Sequence, residues 1–360
     1  MTLCPPLLKF RPILLDKPWG GDALWRVLRK GHPGEKSMGE SWELSDRAEA
    51  CSAVEGGPLQ GTSLRDLLAR YREAILGEAS AEDLLGESGH FPLLYKFISA
   101  RQKLSVQVHP STGSLLGEAK TECWYVVDAE PGAELIVGVV SKGKTRGEIL
   151  ERLKSPRCEE VLHRWPVKKG DVFFIPAGTV HAITEGLLLY EVQQNSDTTF
   201  RLYDWGRVDA KGNPRALHLE EAAEVADLQG RGDYQIPSLR VEKISHAEDY
   251  LVACPYFALV KWHGFKKNAR LETHGKFRVL TVVSGSFTAT TEEGEAMPLE
   301  LGDTVLIPAC LKEVRLDAGG PDAEIIVSFV PDMDKDVREP LRHAGYGEKA
   351  VKALSGPALP

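Results

Sequence analysis

Side chains that bind metal ions stand close together in the first half of the sequence. Gln107, Val108 and His109 are consecutive, and the carboxylate Glu122 follows them. In a β-strand alternate side chains share a face, so Gln107 and His109 point one way while Val108 packs on the other side. One short strand is therefore predicted to supply two ligands.

A turn motif further along the chain supplies another imidazole. Gly170 precedes residues 172–175, whose β-branched and aromatic side chains favour a strand. Pro176 and Gly178 then favour a tight turn, which His181 follows. The motif predicts a strand, a turn and an imidazole aimed by that turn.

These side chains together form a ligand set for a divalent ion. His109 and His181 offer neutral nitrogens, Glu122 offers a carboxylate and Gln107 adds an amide oxygen. Zinc is the metal that best fits this ligand set, and iron or manganese fits it less well. Because three or four protein ligands leave a position for water or substrate, the set predicts Lewis-acid catalysis with one ion per chain.

The charge and composition of the chain limit the kinds of molecule that it is expected to bind. The 360 residues carry a net charge of -8 and contain no basic run, which argues against general nucleic-acid binding. An anionic substrate would have to be held by individual lysines and arginines inside a site, because the overall field does not attract it. No stretch has the length and apolar character of a membrane span.

The cysteines and the start of the chain bear on the compartment. Six cysteines are scattered with no close pair, so most are expected to be small buried hydrophobic residues. The first residues lack the basic head and long apolar run of a signal peptide. A cytoplasmic protein is the resulting expectation.

Apolar runs interrupted by Gly and Pro predict β-structure through most of the chain. Predicted strands lie at 7–15, 38–44, 92–98, 104–109, 124–127, 134–140 and 172–175. Helical spacing of leucines after Ser63 predicts a small helical insertion at about 61–90, with Ser63 as its cap and Asp66 three residues on. Short helices are also predicted at 145–153 and 218–228.

A weak internal repeat organises the rest. Residues 170–177 are echoed by 302–309, but the second copy continues with Cys310-Leu311-Lys312-Glu313, without the turn glycine and the histidine. This predicts a mainly β fold of two jelly-roll-like barrels, the second without a metal. The predicted limits are 1–238 for the N-terminal catalytic domain, 239–331 for the degenerate second barrel and 332–360 for the tail.

The turn motif resembles the second half of the cupin signature, with Glu185 where that signature usually has Asn. Several strings together resemble the short bacterial form of the type I mannose-6-phosphate isomerase family, over most of the chain to about Pro331. The strings are Trp19-Gly20-Gly21, 39–45, 104–110 and 120–125. In that family the resemblance implies zinc held by the residues that match Gln107, His109, Glu122 and His181.

The resemblance also implies catalytic and substrate-binding residues. Residues 196–201 are similar to the family segment that carries the active-site arginine, which makes Arg201 the expected catalytic arginine, although Arg207 stays open from one sequence. Lys120 matches a site lysine, and Asp197 is expected to orient Arg201. Trp19 and Glu43 are expected to line the sugar pocket.

The activity that this resemblance implies is interconversion of mannose 6-phosphate and fructose 6-phosphate, with a small-molecule sugar phosphate as partner and a monomer or weak homodimer as assembly. Two alternatives stay open. A non-haem metal-dependent dioxygenase would use the same two histidines and carboxylate. A non-catalytic sugar-binding cupin would hold the metal without turnover.

Overall fold

The computed structural model describes residues 4–32, 34, 37–77, 89–209, 211–230 and 232–356, and these residues are mainly β, as the sequence predicts. The strands are β1 (Leu8–Lys9), β2 (Ile13–Gly21), β3 (Met38–Leu44), β4 (Asp46–Arg47), β5 (Ala50–Cys51), β6 (Leu93–Ala100), β7 (Val106–Val108), β8 (Glu122–Ala129), β9 (Glu134–Val139), β10 (Leu162–Pro166), β11 (Val172–Ile175), β12 (His181–Ile183), β13 (Leu187–Gln194), β14 (Phe200–Tyr203), β15 (Leu239–Glu242), β16 (Ala247–Ala253), β17 (Ala258–His263), β18 (Ala269–Glu272), β19 (Arg278–Ser284), β20 (Phe287–Thr291), β21 (Ala296–Leu299), β22 (Thr304–Ile307), β23 (Glu313–Ala318) and β24 (Glu324–Phe329). The helices are α1 (Ala23–Leu28), α2 (Leu64–Leu76), α3 (Arg146–Leu153), α4 (Leu219–Val225), α5 (Glu339–His343) and α6 (Glu348–Ala353), with a 3-10 turn at Pro156–Glu160 and a π-helical segment at Met333–Arg338.

No helix in the described ranges is long and apolar enough to cross a membrane.

Helix α2 is the described part of the predicted insertion. Ser63 caps it as predicted, because its side chain accepts a hydrogen bond from the Asp66 amide. Near its end the Ile75 carbonyl accepts a hydrogen bond of 2.9 Å from the Ala309 amide. The remainder of the predicted insertion, residues 78–88, lies outside the described residues.

The described residues form two compact units, each assembled from separate stretches of the chain. Unit A consists of the described residues within 14–41, 96–236 and 355–360. Unit B consists of those within 1–13, 42–95 and 237–354. The domain limits near residues 238 and 331 stay a prediction.

Unit A contains a five-stranded sheet in the order β10-β9-β12-β7-β14 and a six-stranded sheet in the order β11-β8-β13-β6-β2-β3. One hydrophobic core joins side chains of both sheets, among them Trp124 of β8, Leu135 of β9 and Ile183 of β12. Burial of these large apolar side chains stabilises the jelly-roll-like arrangement. The two sheets thus hold β7, β8 and β12, which carry the predicted ligands.

A second core covers the other face of the five-stranded sheet. Val106 and Val108 of β7 pack there with Ile149 of α3 and Ala222 of α4. Thr145 caps α3 through a reciprocal pair of hydrogen bonds with Glu148. The helices therefore bury the apolar face of β7 and leave its polar face turned toward the first core.

Unit B repeats this plan with a seven-stranded sheet, β1-β22-β19-β24-β17-β16-β15, and a four-stranded sheet, β18-β23-β20-β21. Strand β22 belongs to the second copy of the sequence repeat, and β11 belongs to the first. Each pairs antiparallel with an equivalent neighbour, β19 or β8. The two copies of the sequence repeat therefore pair with their neighbouring strands in the same way.

Two of the six cysteines are joined to each other, a pairing that the sequence did not predict. Cys4 and Cys310 form a disulfide within unit B, with their Cα atoms 5.8 Å apart. They meet because β1, just after Cys4, pairs with β22, just before Cys310. Cys123, Cys158 and Cys254 are buried thiols as expected, and Cys51 is half-buried.

Candidate metal centre and active site

Three neighbouring strands of unit A bring polar side chains into one row. Gln107 of β7 lies opposite His181 of β12 on one side and opposite Arg201 of β14 on the other. Residues opposite each other in antiparallel strands project to the same face of the sheet. The imidazole, the amide and the guanidinium are therefore presented side by side.

The turn before His181 is attached to the strand that carries the first ligands. The Gly178 amide donates a hydrogen bond of 2.9 Å to the His109 carbonyl. Gly178 has a φ of +85°, a backbone conformation that favours glycine. This turn fixes the entry into β12 and so the position of the His181 ring.

His109, Glu122 and His181 meet at one buried point. Their ligand atoms all lie within 4.8 Å of one another, and each residue is 1% exposed. His109 Nε2 is 3.7 Å from one Glu122 oxygen, and His181 Nε2 is 3.4 Å from the other. Lys120 Nζ lies 2.8 Å from Glu122 Oε2 and 3.3 Å from His109 Nε2.

Backbone carbonyls orient both imidazoles. His109 Nδ1 donates to the Thr198 carbonyl and His181 Nδ1 to the Thr179 carbonyl, each at 2.8 Å. The protons on Nδ1 leave the Nε2 lone pairs facing Glu122. Burial lowers the pKa of His181 to about 4, and burial followed by the charge of Lys120 lowers the pKa of His109. Both rings are therefore neutral at pH 7, which is the form that binds metal.

Gln107 lies beside this group, and its amide nitrogen, not its amide oxygen, faces the His181 ring. Its Nε2 is 3.3 Å from His181 Nε2, and its Oε1 accepts a hydrogen bond of 3.1 Å from the Ser105 hydroxyl. A metal ion requires the amide oxygen, which a half-turn of the amide group would supply. The ligand role of Gln107 stays a prediction.

Buried charges continue from Lys120 into the core of unit A. Glu191 lies 3.9 Å from Lys120 and 2.9 Å from Lys96, and it accepts a hydrogen bond of 2.7 Å from Trp124 Nε1. Burial alone would lower the pKa of Lys96, but the negative charges of Glu191 and Glu40 outweigh it and raise that pKa. Lys96 is thus held as a cation close to the ligand group.

Comparisons with known proteins identify the family of the chain. A model of the phosphomannose isomerase type I catalytic domain matches residues 7–141, and a model of the mannose-6-phosphate isomerase cupin domain matches residues 247–330. The mannose-6-phosphate isomerase ManA of Bacillus subtilis is 36% identical over 337 residues, which cover 90% of this chain and 98% of that relative. The chain belongs to the mannose-6-phosphate isomerase family.

Other relatives cover the chain as fully. The mannose-6-phosphate isomerase of Streptococcus mutans is 34% identical over 87% of this chain and 94% of its own. A crystal structure of the Bacillus subtilis mannose 6-phosphate isomerase matches with a TM-score of 0.80 and 30% identity, covering 91% of this chain and all of that one. A zinc-bound mannose 6-phosphate isomerase matches with a TM-score of 0.71 at 16% identity, which shows the fold alone.

Arg201, the arginine expected from the family motif, is held on the row of polar side chains. Its Nε donates to the Ser105 hydroxyl at 3.3 Å, and its Nη1 donates to the Ala216 carbonyl at 2.8 Å. Burial and then the charge of Arg215 lower its pKa from the usual arginine value. Ser105 therefore contacts both Gln107 and Arg201 and links the amide to the guanidinium.

Arg207 is engaged by a buried carboxylate. Arg207 and Arg215 both form ion pairs with Asp204, which is 5% exposed. Arg215 Nε donates to Asp204 at 2.8 Å. Burial alone would raise the pKa of Asp204, but hydrogen bonds from Arg215 and Arg207 lower it. With Arg201 nearby, three cations surround one carboxylate and leave a positive field suited to an anionic substrate of this family.

The other predicted site residues are placed differently. Asp197 is exposed and, in the part of the chain that the structure describes, shares no hydrogen bond or ion pair with Arg201. Trp19 is 8% exposed, and the Arg215 guanidinium lies 5.2 Å from its ring centroid. Glu43 is buried in β3. The roles of Asp197, Trp19 and Glu43 remain predictions.

Sequence reasoning missed Lys96, Glu191 and Arg215. The available signal for Lys96 and Glu191 was a single charge inside a strand, since β6 and β13 are buried along almost their whole length. A charge in such a strand requires a partner from another strand. Arg215 lies outside the strands and helices, and its sequence carried no such signal.

Proposed function

We propose that this chain interconverts mannose 6-phosphate and fructose 6-phosphate at the site formed by His109, Glu122 and His181. The observation that carries the proposal is the buried meeting of these three ligands with Lys120 and Arg201 beside them. Membership of the family supports the same substrate pair. A site that joins a metal-binding group to fixed cations suits a phosphorylated sugar.

We propose zinc as the metal, one ion per chain. Two neutral imidazole nitrogens and one carboxylate, close together and oriented by their outer hydrogen bonds, fit this ion. Gln107 would add its amide oxygen as a fourth ligand. When bound, zinc supplies a Lewis acid for the oxygens at C1 and C2 of the sugar.

Arg201 is proposed to stabilise the negative charge that develops when the proton leaves C2 and returns to C1 through an enediol. Ser105 and the Ala216 carbonyl already hold its guanidinium, so little reorganisation is needed during the reaction. Lys120 is proposed to contact the sugar oxygens or phosphate. Its ion pair with Glu122 keeps its ammonium group in place.

The cations around Asp204 are proposed to attract the substrate phosphate. Arg207 and Arg215 share the one carboxylate, so their combined charge is only partly neutralised. A protein with a net charge of -8 needs such a local positive field to collect a dianion. Salt should therefore raise the KM for mannose 6-phosphate more than it changes kcat.

The deciding experiment is a coupled assay of mannose 6-phosphate conversion before and after chelation, with zinc add-back, in air and without oxygen. The isomerase proposal expects activity that is lost on chelation, returns with zinc and does not require oxygen. A dioxygenase would stop without oxygen. A sugar-binding protein would show no exchange of the C2 hydrogen with solvent, which would overturn the proposal.

A further inference from the structure

Strand pairing identifies the residue of unit B that stands where Glu122 stands in unit A. In unit A Ile175 of β11 is the register partner of Glu122. In unit B Ile307 of β22 is the register partner of Arg278. Because the sequence repeat aligns Ile175 with Ile307, Arg278 occupies the place of the ligand carboxylate. A negative side chain has been replaced by a positive one.

Two of the other ligand positions are also replaced, whereas the position of His109 keeps a histidine, His274. The repeat places Glu313 where unit A has His181, and Glu313 pairs with Glu272 as His181 pairs with Gln107. The equivalents of the four ligand positions are Glu272, His274, Arg278 and Glu313. Glu313 is engaged by Arg270 at 3.0 Å. In the described ranges, the one group of three close metal-binding side chains is that of unit A.

Arg278 lies in a cavity of about 230 Å³ inside unit B. It is 3% exposed, and its guanidinium carbon lies 4.2 Å from the ring centroid of Phe329. Among the described residues its Nη1 has no hydrogen-bond partner. The charge of Asp336 acts on Arg278, but that carboxylate is already paired with Lys276 at 2.9 Å. An anion in this cavity would therefore relieve part of the electrostatic cost of burying the guanidinium.

One part of the cavity wall, around Arg278, is aromatic and apolar. Tyr250, Trp262 and Phe329 are each at most 6% exposed, and Val260 and Val327 lie between them. Such a wall around a single buried cation has the composition of a small-molecule site. It suits a ligand with an apolar body and one charged group.

The charged lining residues have a small excess of positive charge. The charged lining residues other than His274 are four cations, Lys243, Arg270, Arg278 and Lys335, and three carboxylates, Glu248, Glu272 and Asp336. Asp336 is paired with Lys276 at 2.9 Å, and Glu248 with Lys243 at 3.5 Å. Burial lowers the pKa of Arg278 to about 10, so the side chain is still charged at pH 7.

We propose that this cavity binds a small organic anion, whose phosphate or carboxylate pairs with Arg278 and whose body lies against Tyr250, Trp262 and Phe329. The planar guanidinium suits either group through paired hydrogen bonds. The ligand site of unit B thereby lies at the position that corresponds to the metal site of unit A. It binds an anion where the site of unit A would bind a cation. This inference does not depend on the reaction proposed for unit A.

The test is isothermal titration of the full chain with phenyl phosphate, benzoate and the neutral benzyl alcohol. The two anions separate a phosphate preference from a carboxylate preference, and the alcohol tests the need for charge. We expect saturable one-to-one binding of at least one anion in this cavity and none of the alcohol. Arg278→Gln should weaken that binding about ten- to hundredfold, because a charge-assisted pair is lost.

Three further variants keep the outcome decisive. Arg201→Gln should leave this binding unchanged, which separates it from the site of unit A, and Arg315→Gln should do so because that arginine lies outside the lining of the cavity and is paired with Asp317 at 2.9 Å. Val260→Phe fills the cavity while keeping Arg278, and it replaces Arg278→Gln if that variant does not fold. Absence of saturable binding, equal binding in Arg278→Gln or Val260→Phe, or its loss in Arg201→Gln would overturn the inference.

Discussion

Arg201 and Gln107 are direct partners across the antiparallel strands β14 and β7, and Gln107 pairs in turn with His181 on its other side. The predicted catalytic cation and the predicted ligands Gln107 and His181 therefore share one face of one sheet, whereas Glu122 belongs to β8 of the other sheet. Sheet geometry places neighbouring strands about 4.8 Å apart, so such a row is rigid and closely spaced. A substrate held by the metal group would lie within reach of the guanidinium.

Arg201→Ala is expected to keep the metal and to lose mainly turnover. Loss of a preorganised charge that acts in the transition state should lower kcat by about 10²–10³-fold with a smaller change in KM. Steady-state kinetics together with elemental analysis for zinc would measure both effects. Near-normal turnover in this variant would transfer the role to Arg207 or Arg215, which stand at Asp204.

His181→Ala is expected to lose metal and activity together. The imidazole supplies one of three protein ligands, and its removal should weaken metal binding by well over tenfold. His163→Ala is the matched control, because His163 is exposed and is not part of the ligand group; its ring packs at a tilt against Trp165. Stoichiometric zinc in purified His181→Ala would refute the ligand set.

The metal-free protein is expected to lose stability as the pH falls below about 6.5. The folded-state pKa of His181 is lowered to about 4, whereas an unfolded chain has the ordinary histidine value. Between these values the unfolded chain takes up a proton that the folded chain does not, so the free energy of unfolding falls with falling pH. Denaturant titrations at pH 7, 6 and 5 in chelator would measure this.

The matched variant for the pH experiment is His181→Asn, which removes the titrating ring. Its stability should depend less steeply on pH over the same interval, with the remaining slope set by His109 and other groups. Equal slopes in the two proteins would show that His181 is not a buried neutral imidazole in the folded chain.

Much of the site could be predicted because its information is local. The alternation of side chains along β7 predicted that Gln107 and His109 share a face. The turn at Pro176 and Gly178 predicted where the chain brings in His181. The pairing of Lys96 with Glu191 depends on which distant strands lie side by side, and no local pattern encodes that choice. The Cys4–Cys310 disulfide was missed for the same reason, since it requires the first strand to join the second barrel.

The disulfide predicts a defined thiol count and a stability loss. Denatured, unreduced protein should present four free thiols to an alkylating reagent, and reduced protein six. Cys310→Ser should lower the free energy of unfolding by about 2–5 kcal/mol, because a cross-link that closes a very long loop is removed. Cys51→Ser, at a half-buried free thiol, is the control and should change stability much less. Six alkylated thiols in oxidised protein would contradict the bridge.

Because Lys96 and Glu191 form a buried ion pair, we expect strong energetic coupling between them in a double-mutant cycle. Lys96→Met alone should lower the free energy of unfolding by about 3–5 kcal/mol, because Glu191 would be left as a buried charge with its 2.9 Å partner removed. Glu191→Gln alone should be similarly harmful, whereas the pair Lys96→Met and Glu191→Gln should destabilise by less than the sum of the two. Urea unfolding of the four proteins measures the coupling. Additive losses would mean that the two side chains do not interact in the folded chain, and Lys120 would then be the principal partner of Glu191.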